Sequence, residues 1–433
     1  MGSAWENTGA FANQKLKFGL RTVNILNLST QNREAYGMML EESRKRLLTS
    51  KTPVIHIERI TEAQDIKEFL KFGWEVYRNN RFWVPPILQD TQKFLEGKTL
   101  FSKHCEHRIF VAQESGKTVA QAVAFYDQNL VKAFVKPVGM IGFFEALPDK
   151  EPAVKALFEQ AEQYLQEKGA EVVWGPMNGG IANPVGLLAN AYNQKPVFLM
   201  TYNPSYYHQY FRRLGYYPIK ELIAYSMDMM DGKMQRKIRF ILNRAKKSNI
   251  TIRPLNRKRF KEECSTLSHM YDQTFKSHWG YAPQSEEEFY EIVSPLKLAI
   301  DPDFILFAES EGKPIGFTMA VPDYNPAIKR LNGNLNLVGS LAFLRLKKEI
   351  HEARLIAIGV SPEWRGKRVA VLLTAAVYDA MIKKGYTKCE YSWVFRENIS
   401  SQNVARKIDD DDYRHYLVYE RNLLNGKGKR FLK

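Results

Sequence analysis

The chain has 433 residues, 45% hydrophobic and 25% charged, with 63 Lys+Arg against 47 Asp+Glu and a net charge of +16. That length accommodates two or three domains with buried cores, and the composition excludes a disordered chain. Cys105, Cys264 and Cys389 show no metal-ligand spacing and are odd in number. They argue against a disulfide framework and a zinc site and fit a reducing cytoplasm.

No apolar run approaches the roughly 20 residues of a membrane span. The N-terminus lacks the basic cap and apolar core of a secretion signal. The sequence therefore predicts a cytoplasmic protein. Its positive surplus favours polyanionic partners: nucleic acid, phosphate-bearing cofactors, an acidic carrier protein or a membrane surface.

Residues 1–52 form a polar leader whose periodic stretch, Arg33 to Leu48, predicts a surface or docking helix before Pro53. From Pro53 to Met229 strand and helix patterns alternate. Val54–Glu58 is a strand and Asp65–Asn79 a helix. Arg108–Ala112 and Thr118–Asp127 form a hairpin across Ser115-Gly116, and Met140–Phe144 is a strand. Glu151–Lys168 is an amphipathic helix ending at Gly169, followed by a buried strand over Glu171–Trp174.

The second half repeats this order. Ile250–Pro254 is a strand and Lys258–Phe275 a helix. Phe304–Ala308 and Ile315–Val321 form a hairpin. Leu355–Val360 is a strand, Val369–Lys384 a helix and Lys388–Val394 a strand. The repetition predicts two copies of one α/β unit, with domains at 53–230 and 250–433 joined by a basic linker helix at 231–249. From Asp231 to Lys261 twelve lysines and arginines face one acid, Asp231. This stretch reads as a solvated linker helix or as a landing strip for an anionic partner.

The segment Leu355–Leu373, LIAIGVSPEWRGKRVAVLL, carries the most chemistry. An apolar strand leaves through Ser361-Pro362 into a basic, glycine-containing loop and enters a helix. Such a turn points backbone N–H groups at an anion, and the helix dipole adds to the attraction. Val360-x-Pro362-x-x-Arg365-Gly366-Lys367 before an apolar helix resembles the acyl-CoA loop of the GNAT (Gcn5-related) acyltransferases, bacterial tandem-domain type. The resemblance extends over most of residues 53–423. In the second half it rests on His278-Trp279-Gly280-Tyr281, Asp301-Pro302-Asp303, Tyr391-Ser392-Trp393, Asn398 and Tyr416-x-x-Tyr419-Glu420. In the first half it rests on Trp83-Val-Pro-Pro86, Gly142–Ala146, Gly175-Pro-x-Asn178 and Tyr202-Asn203-Pro-x-Tyr-Tyr207.

The resemblance implies two tandem GNAT-like domains, each a mixed twisted sheet flanked by helices. Ile358, Gly359 and Val360 then fall on a splayed strand whose N–H groups hold a thioester carbonyl. Arg365, Gly366, Lys367, Arg368, Val369 and Ala370 fall on the pyrophosphate loop, and Asn398 joins the cofactor contacts. The family usually has glycine where this chain has Arg368, and the first half has no such loop, so only the second is expected to bind cofactor. His278, Trp279, Tyr281, Asn178, Tyr202 and Asn203 are assigned to the acceptor side.

Proton transfer to and from amine and thiolate needs an acid and a base. Glu390, Glu145 and Tyr413 are the candidates, each with a structural alternative. The run Asp409–Asp412 and the missing tyrosine after Asn398 depart from the enzymes of the family. The function expected is N-acyl transfer from acetyl-CoA, a longer acyl-CoA or an acyl carrier protein to an amine of a small molecule or peptide. The alternatives are a tRNA-dependent aminoacyl transferase and a non-catalytic acyl-CoA-binding protein.

Overall fold

Hydrophobic alternation and short turns make the chain from Ile55 to Asn422 a ladder of strands with helices between them. The computed structural model describes residues 17–18, 21–22, 54–134, 136–246, 248–297, 299–408 and 412–424. The helix expected over Arg33–Leu48 lies outside them, as do Lys247 and Asp409 to Asp411.

In the first half β1 (Ile55–Ile60) precedes α1 (Ala63–Val76) and α2 (Leu88–Leu95). Then come β2 (Cys105–Glu114), β3 (Lys117–Asp127), α3 (Gln128–Ala133), β4 (Val138–Ala146), α4 (Glu151–Glu167) and β5 (Val172–Gly175). The short β6 (Leu187–Leu188), α5 (Tyr207–Arg213) and β7 (Tyr217–Asp228) complete it. The second half runs α6 (Gly232–Ala245), β8 (Ile250–Pro254), α7 (Phe260–Phe275), α8 (Glu286–Val293), β9 (Ile305–Ser310) and β10 (Lys313–Pro322). It continues with α9 (Asn325–Arg330), α10 (Leu337–Leu346), β11 (Glu352–Val360), α11 (Val369–Lys383), β12 (Lys388–Phe395), α12 (Ile399–Ile408) and β13 (Asp412–Asn422).

All but the shortest of these strands join one path. Its first half has the order β1-β2-β3-β4-β5-β13 and its second β8-β9-β10-β11-β12-β7, joined where β7 pairs with β13. Each half thus takes its last strand from the other half of the chain. The two halves match strand for strand, down to the single parallel step, β4–β5 in one and β11–β12 in the other. A parallel step needs a crossover helix, and α4 and α11 supply it. On α4 the residues Val154, Leu157, Phe158, Ala161 and Leu165 form a buried helical stripe. On α11 Leu373, Val377, Tyr378 and Met381 are fully buried. Each such side chain contributes about 1.5–3 kcal/mol of burial.

At both parallel steps the strands pair and then diverge, but only one fork stays open. In the first half β4 and β5 pair from Val138↔Val172 to Met140↔Trp174. Beyond that Met177 N–H donates to Ile141 O at 2.9 Å, and the Asn178 side-chain oxygen accepts from Phe143 N–H at 2.7 Å. The following turn is short and carries the carboxylates of Asp149 and Glu151, the latter in the first turn of α4. A carboxylate at a helix start repels a phosphate. A Cβ on Gly142 would lie 2.1 Å from the backbone oxygen of Met177. Gly142→Ala is expected to cost about 1–3 kcal/mol, read as a fall in the denaturation midpoint with unchanged slope.

Candidate active site

The second fork is built by a bulge. β11 pairs with β12 from Glu352↔Lys388 to Leu355↔Tyr391 and no further. Against β10 its register slips at the same point, from Met319↔Ala357 to Ala320↔Leu355, leaving Ile356 as the extra residue. A bulge bends its strand, and here β11 stays with β10 while β12 turns toward β7. Ser361 N–H donates to Ile315 O at 3.0 Å, so the peptide groups of alternate residues face β10. Those of Ile358 and Val360 face the opening instead. Gly359 sits under the Phe317 ring, where a Cβ would lie 2.1 Å from a ring carbon.

From the top of β11 the chain runs through a turn at Pro362–Trp364 and reaches α11 by way of Gly366 and Arg368, with φ of 79° and 66°. Arg368 adopts the left-handed conformation that glycine takes without strain, which accounts for the family's glycine. Its side chain is exposed and adds charge to the loop. No side chain caps the N-terminus of α11, so the N–H groups of Val369 and Ala370 lack internal acceptors. Nothing lies within 4 Å of a Cβ position on Gly366. Arg365 and Lys367 are exposed, with the Lys367 ammonium 4.5 Å from the Trp364 ring centre. Open backbone, uncapped N–H groups and three cations fit a pyrophosphate.

The opening leads into a cavity of about 210 Å³. Tyr271 and Phe275 from the end of α7 and His278 from the turn after it line one side, with Phe289, Ile292 and Val293 of α8. Met319, Val321, Ile356, Ile358, Trp393 and Phe395 line the sheet side, and the first half contributes Ile181, Asn183 and Leu199. Tyr281 and Asn398 also reach it. The Tyr281 hydroxyl donates to Asp272 at 2.9 Å, and Asn398 caps α12 by accepting from Ser401 N–H at 3.0 Å.

His278 is the one imidazole in this largely apolar wall, which also holds Arg354, Gln284, Asn183 and Asn398. Its ring stands edge-on to Phe275 with centroids 5.0 Å apart, and among the described residues its side chain has no hydrogen-bond partner. Burial and then the nearby Arg365 guanidinium hold its pKa below the ordinary 6.5. The imidazole is therefore neutral at pH 7 and able to accept a proton.

Glu390 and Tyr413 share one buried hydrogen-bond network. Glu390 is 1% exposed and sits below the fork with both oxygens engaged. One accepts from Ser392 Oγ at 2.6 Å, the other from Arg414 Nη1 at 3.0 Å and from the Tyr413 hydroxyl. Burial and the Glu390 carboxylate drive the Tyr413 hydroxyl far above its usual range. Arg354, likewise buried, donates to Ser392 Oγ and O at 3.0 and 3.1 Å and to Leu199 O at 3.1 Å.

Glu145 belongs to the first half. It accepts from Tyr207 at 2.6 Å and Tyr77 at 3.2 Å, and desolvation raises its pKa to about 7. It lies beside, not in, an open hollow of about 570 Å³ lined by Asn80, Arg81, Tyr202, Asn203 and Tyr206. Tyr202 donates to Tyr192 O at 2.7 Å and Asn203 accepts from Leu188 N–H at 2.7 Å, so both brace the backbone. Asn178 fills the first fork. Trp279 packs at a tilt against Trp174, with ring centroids 4.3 Å apart, and onto a first-half core. None of these residues lines the second-half cavity.

Sequence reasoning missed the apolar wall. Its signal was the helical spacing Tyr271, Phe275 and His278 across the end of α7 and the turn after it, but periodicity cannot tell a core-facing stripe from a cavity-facing one.

A doubled mixed sheet with one open fork and one basic loop defines a class. Residues 266–409, from within α7 through the fork and loop to the end of α12, match the family model of the acetyltransferase (GNAT) family. A tandem GNAT protein from the clavulanic acid biosynthesis pathway has the same fold, with a TM-score of 0.52 over 85% of this chain and 98% of its own at 10% identity. The chain carries a GNAT domain within a tandem GNAT fold. It is 29% identical over 373 residues to Protein YghO of Escherichia coli (strain K12), covering 85% of this chain and 95% of that protein. It is also 29% identical over 368 residues to the bacterial ceramide synthase of Caulobacter vibrioides (strain NA1000 / CB15N), covering 83% and 95%.

Removing the Glu390 carboxylate would leave two buried guanidinium groups uncompensated. Glu390→Ala is expected to destabilise the fold by about 3–5 kcal/mol, measured by denaturant titration.

Proposed function

We propose that the protein is an N-acyltransferase that moves a long acyl chain from a thioester to the amine of a lipid-like acceptor. The observation that carries this reading is the apolar cavity at the open fork, with a single neutral imidazole in its wall. A two-carbon acyl group has no use for such a wall; a fatty chain buries about 0.8 kcal/mol per methylene against it. The relative named as a ceramide synthase agrees, since a ceramide is an N-acylated long-chain amino alcohol.

The donor supplies an activated acyl carbon. Arg365, Lys367, Arg368 and the N–H groups of Val369 and Ala370 would hold its pyrophosphate, and the Ile358 N–H would hold its carbonyl oxygen. His278 takes the proton from the attacking amine and returns it to the departing sulfur. Leu199, Ile181 and Asn183 give the first half a part in the cleft, although its own fork is closed. An assay pairing palmitoyl-CoA or acetyl-CoA with a long-chain amino alcohol, read by mass spectrometry, is expected to give the N-palmitoyl product in large excess. Preference for acetyl-CoA would overturn the assignment of the cavity.

An acyl carrier protein is the second donor to consider, and α6 favours it. This helix packs against α11 through its own buried face of Met234 and Ile238. Lys233, Arg236, Lys237, Arg239 and Arg244 remain exposed. Elsewhere in the basic stretch Arg253 is spent on Glu263 and Glu309. A carrier's acidic surface would meet α6 beside the loop.

Two outcomes follow. With saturating donor, turnover should fall as pH drops through the His278 pKa, because the protonated ring accepts nothing. His278→Gln should remove that limb and reduce kcat by about 10²–10⁴, while Arg365→Ala should move the limb upward by deleting the neighbouring charge. Reversing Lys233, Lys237 and Lys246 to Glu should leave acyl-CoA turnover within about twofold but abolish transfer from a carrier protein, whose rate should fall steeply with salt. Equal effects on both donors would make α6 a structural helix.

A further inference from the structure

One helix of the second half presents its greasy side to water. α10 has ten residues, LVGSLAFLRL. Phe343 and Leu346 pack inward, against the cluster of Val321, Tyr324, Ala327 and Ile328. On the opposite side Leu337 is 82% exposed, Val338 74%, Leu341 61% and Leu344 38%. These lie at helical spacing and form one stripe. Single exposed apolar residues need no explanation, but a contiguous patch does.

The stripe ends in cations. Arg345 lies on its exposed side and Lys348 follows one turn later, also exposed. No acid occurs from Leu337 to Lys348. Glu349, the first acid after it, is paired with Arg330 at 2.6 Å. An apolar stripe bordered by unopposed cations complements a surface with apolar depth and negative headgroups. A helix of this length spans about 15 Å, half the thickness of a bilayer core, so it lies on a membrane and does not cross it. Among the described residues no helix is long and apolar enough to cross. A second copy of the chain fits less well. Four side chains fall short of the roughly 800 Å² per partner of a stable interface, and a symmetric contact would bring like cations together without an acid to pair them.

The position of α10 gives the contact a purpose. Val321 and Ile356 belong to the cluster beneath α10 and also line the cavity at the open fork. We infer that α10 docks the protein on an anionic lipid bilayer, with Leu337, Val338, Leu341 and Leu344 in the acyl boundary and Arg345 and Lys348 at the headgroups. Its link to lipid substrates rests on the acyl-transfer reading; the docking itself does not.

Vesicle co-sedimentation of the full chain, without substrates, tests it. Binding is expected to phosphatidylcholine vesicles containing phosphatidylglycerol and to weaken with salt. Leu337→Glu with Leu341→Glu should lower binding by at least about tenfold. Arg345→Glu with Lys348→Glu should abolish the preference for phosphatidylglycerol. All four positions are exposed, and thermal melting checks that the variants fold. Absence of binding to either vesicle would overturn the inference, as would equal binding by folded variants. So would a dimer in sedimentation velocity that the leucine changes dissociate, because a second copy would then cover the stripe. No turnover enters the readout, so this failure is distinct from failure of the acyl-transfer assignment.

Discussion

The site depends on two parallel strands that are held together at one end and forced apart at the other. Below the fork Glu390 lies between Arg414 and Ser392, and Ser392 in turn meets Arg354. A carboxylate at 1% exposure would be strongly disfavoured alone. With charge-assisted hydrogen bonds to both oxygens it becomes a fixed clamp, although buried ion pairs of this kind add little net stability. Above the fork the bulge at Ile356 turns β11 away and frees the Ile358 and Val360 peptide groups. Clamp and bulge together place unpaired N–H groups at the mouth of an apolar cavity.

The first half shows how little changes when such a fork is retired. Its sheet has the same order and the same parallel step. Yet the Asn178 amide occupies the hydrogen bond that a ligand would make, and Met177 fills the space over Gly142. The turn that follows carries carboxylates where the second half carries Arg365, Lys367 and Arg368. Topology therefore does not decide whether a fork is open or filled in either half. The determinant is what the chain does in the few residues after the strands part.

The wall of the cavity also sets the charge state of His278. Removal of water disfavours the imidazolium, and Arg365 disfavours it further. Under the proposed function the loop cation would do two things: face the donor's phosphates and keep the nearby imidazole unprotonated. The apolar lining also continues through Val321 and Ile356 into the packing under α10, so cavity and exposed stripe share one block of hydrophobic core.

Local pattern alone determined most of the elements. β8 at Ile250–Pro254, α11 from Val369 and the hairpin across Ser115-Gly116 follow from alternation, caps and turn residues, which are short-range properties. The basic loop was legible because a phosphate site needs cations and glycine in consecutive positions. The repeat of element order pointed to two copies of one α/β unit, and the motif resemblance made them GNAT-like. Tertiary structure decided the rest. The exchange of β7 and β13 between the halves is a pairing between residues nearly two hundred apart, and nothing local records it. That Glu390, Tyr413 and Arg414 share one buried network could not be read from sequence, which gives residue type but not neighbours. His278 and Trp279 are consecutive, yet one lines the cavity and the other packs against Trp174. Burial, partner and charge environment are properties of the folded neighbourhood, and it is those that put one of two adjacent side chains on a cavity wall and make the other a piece of core.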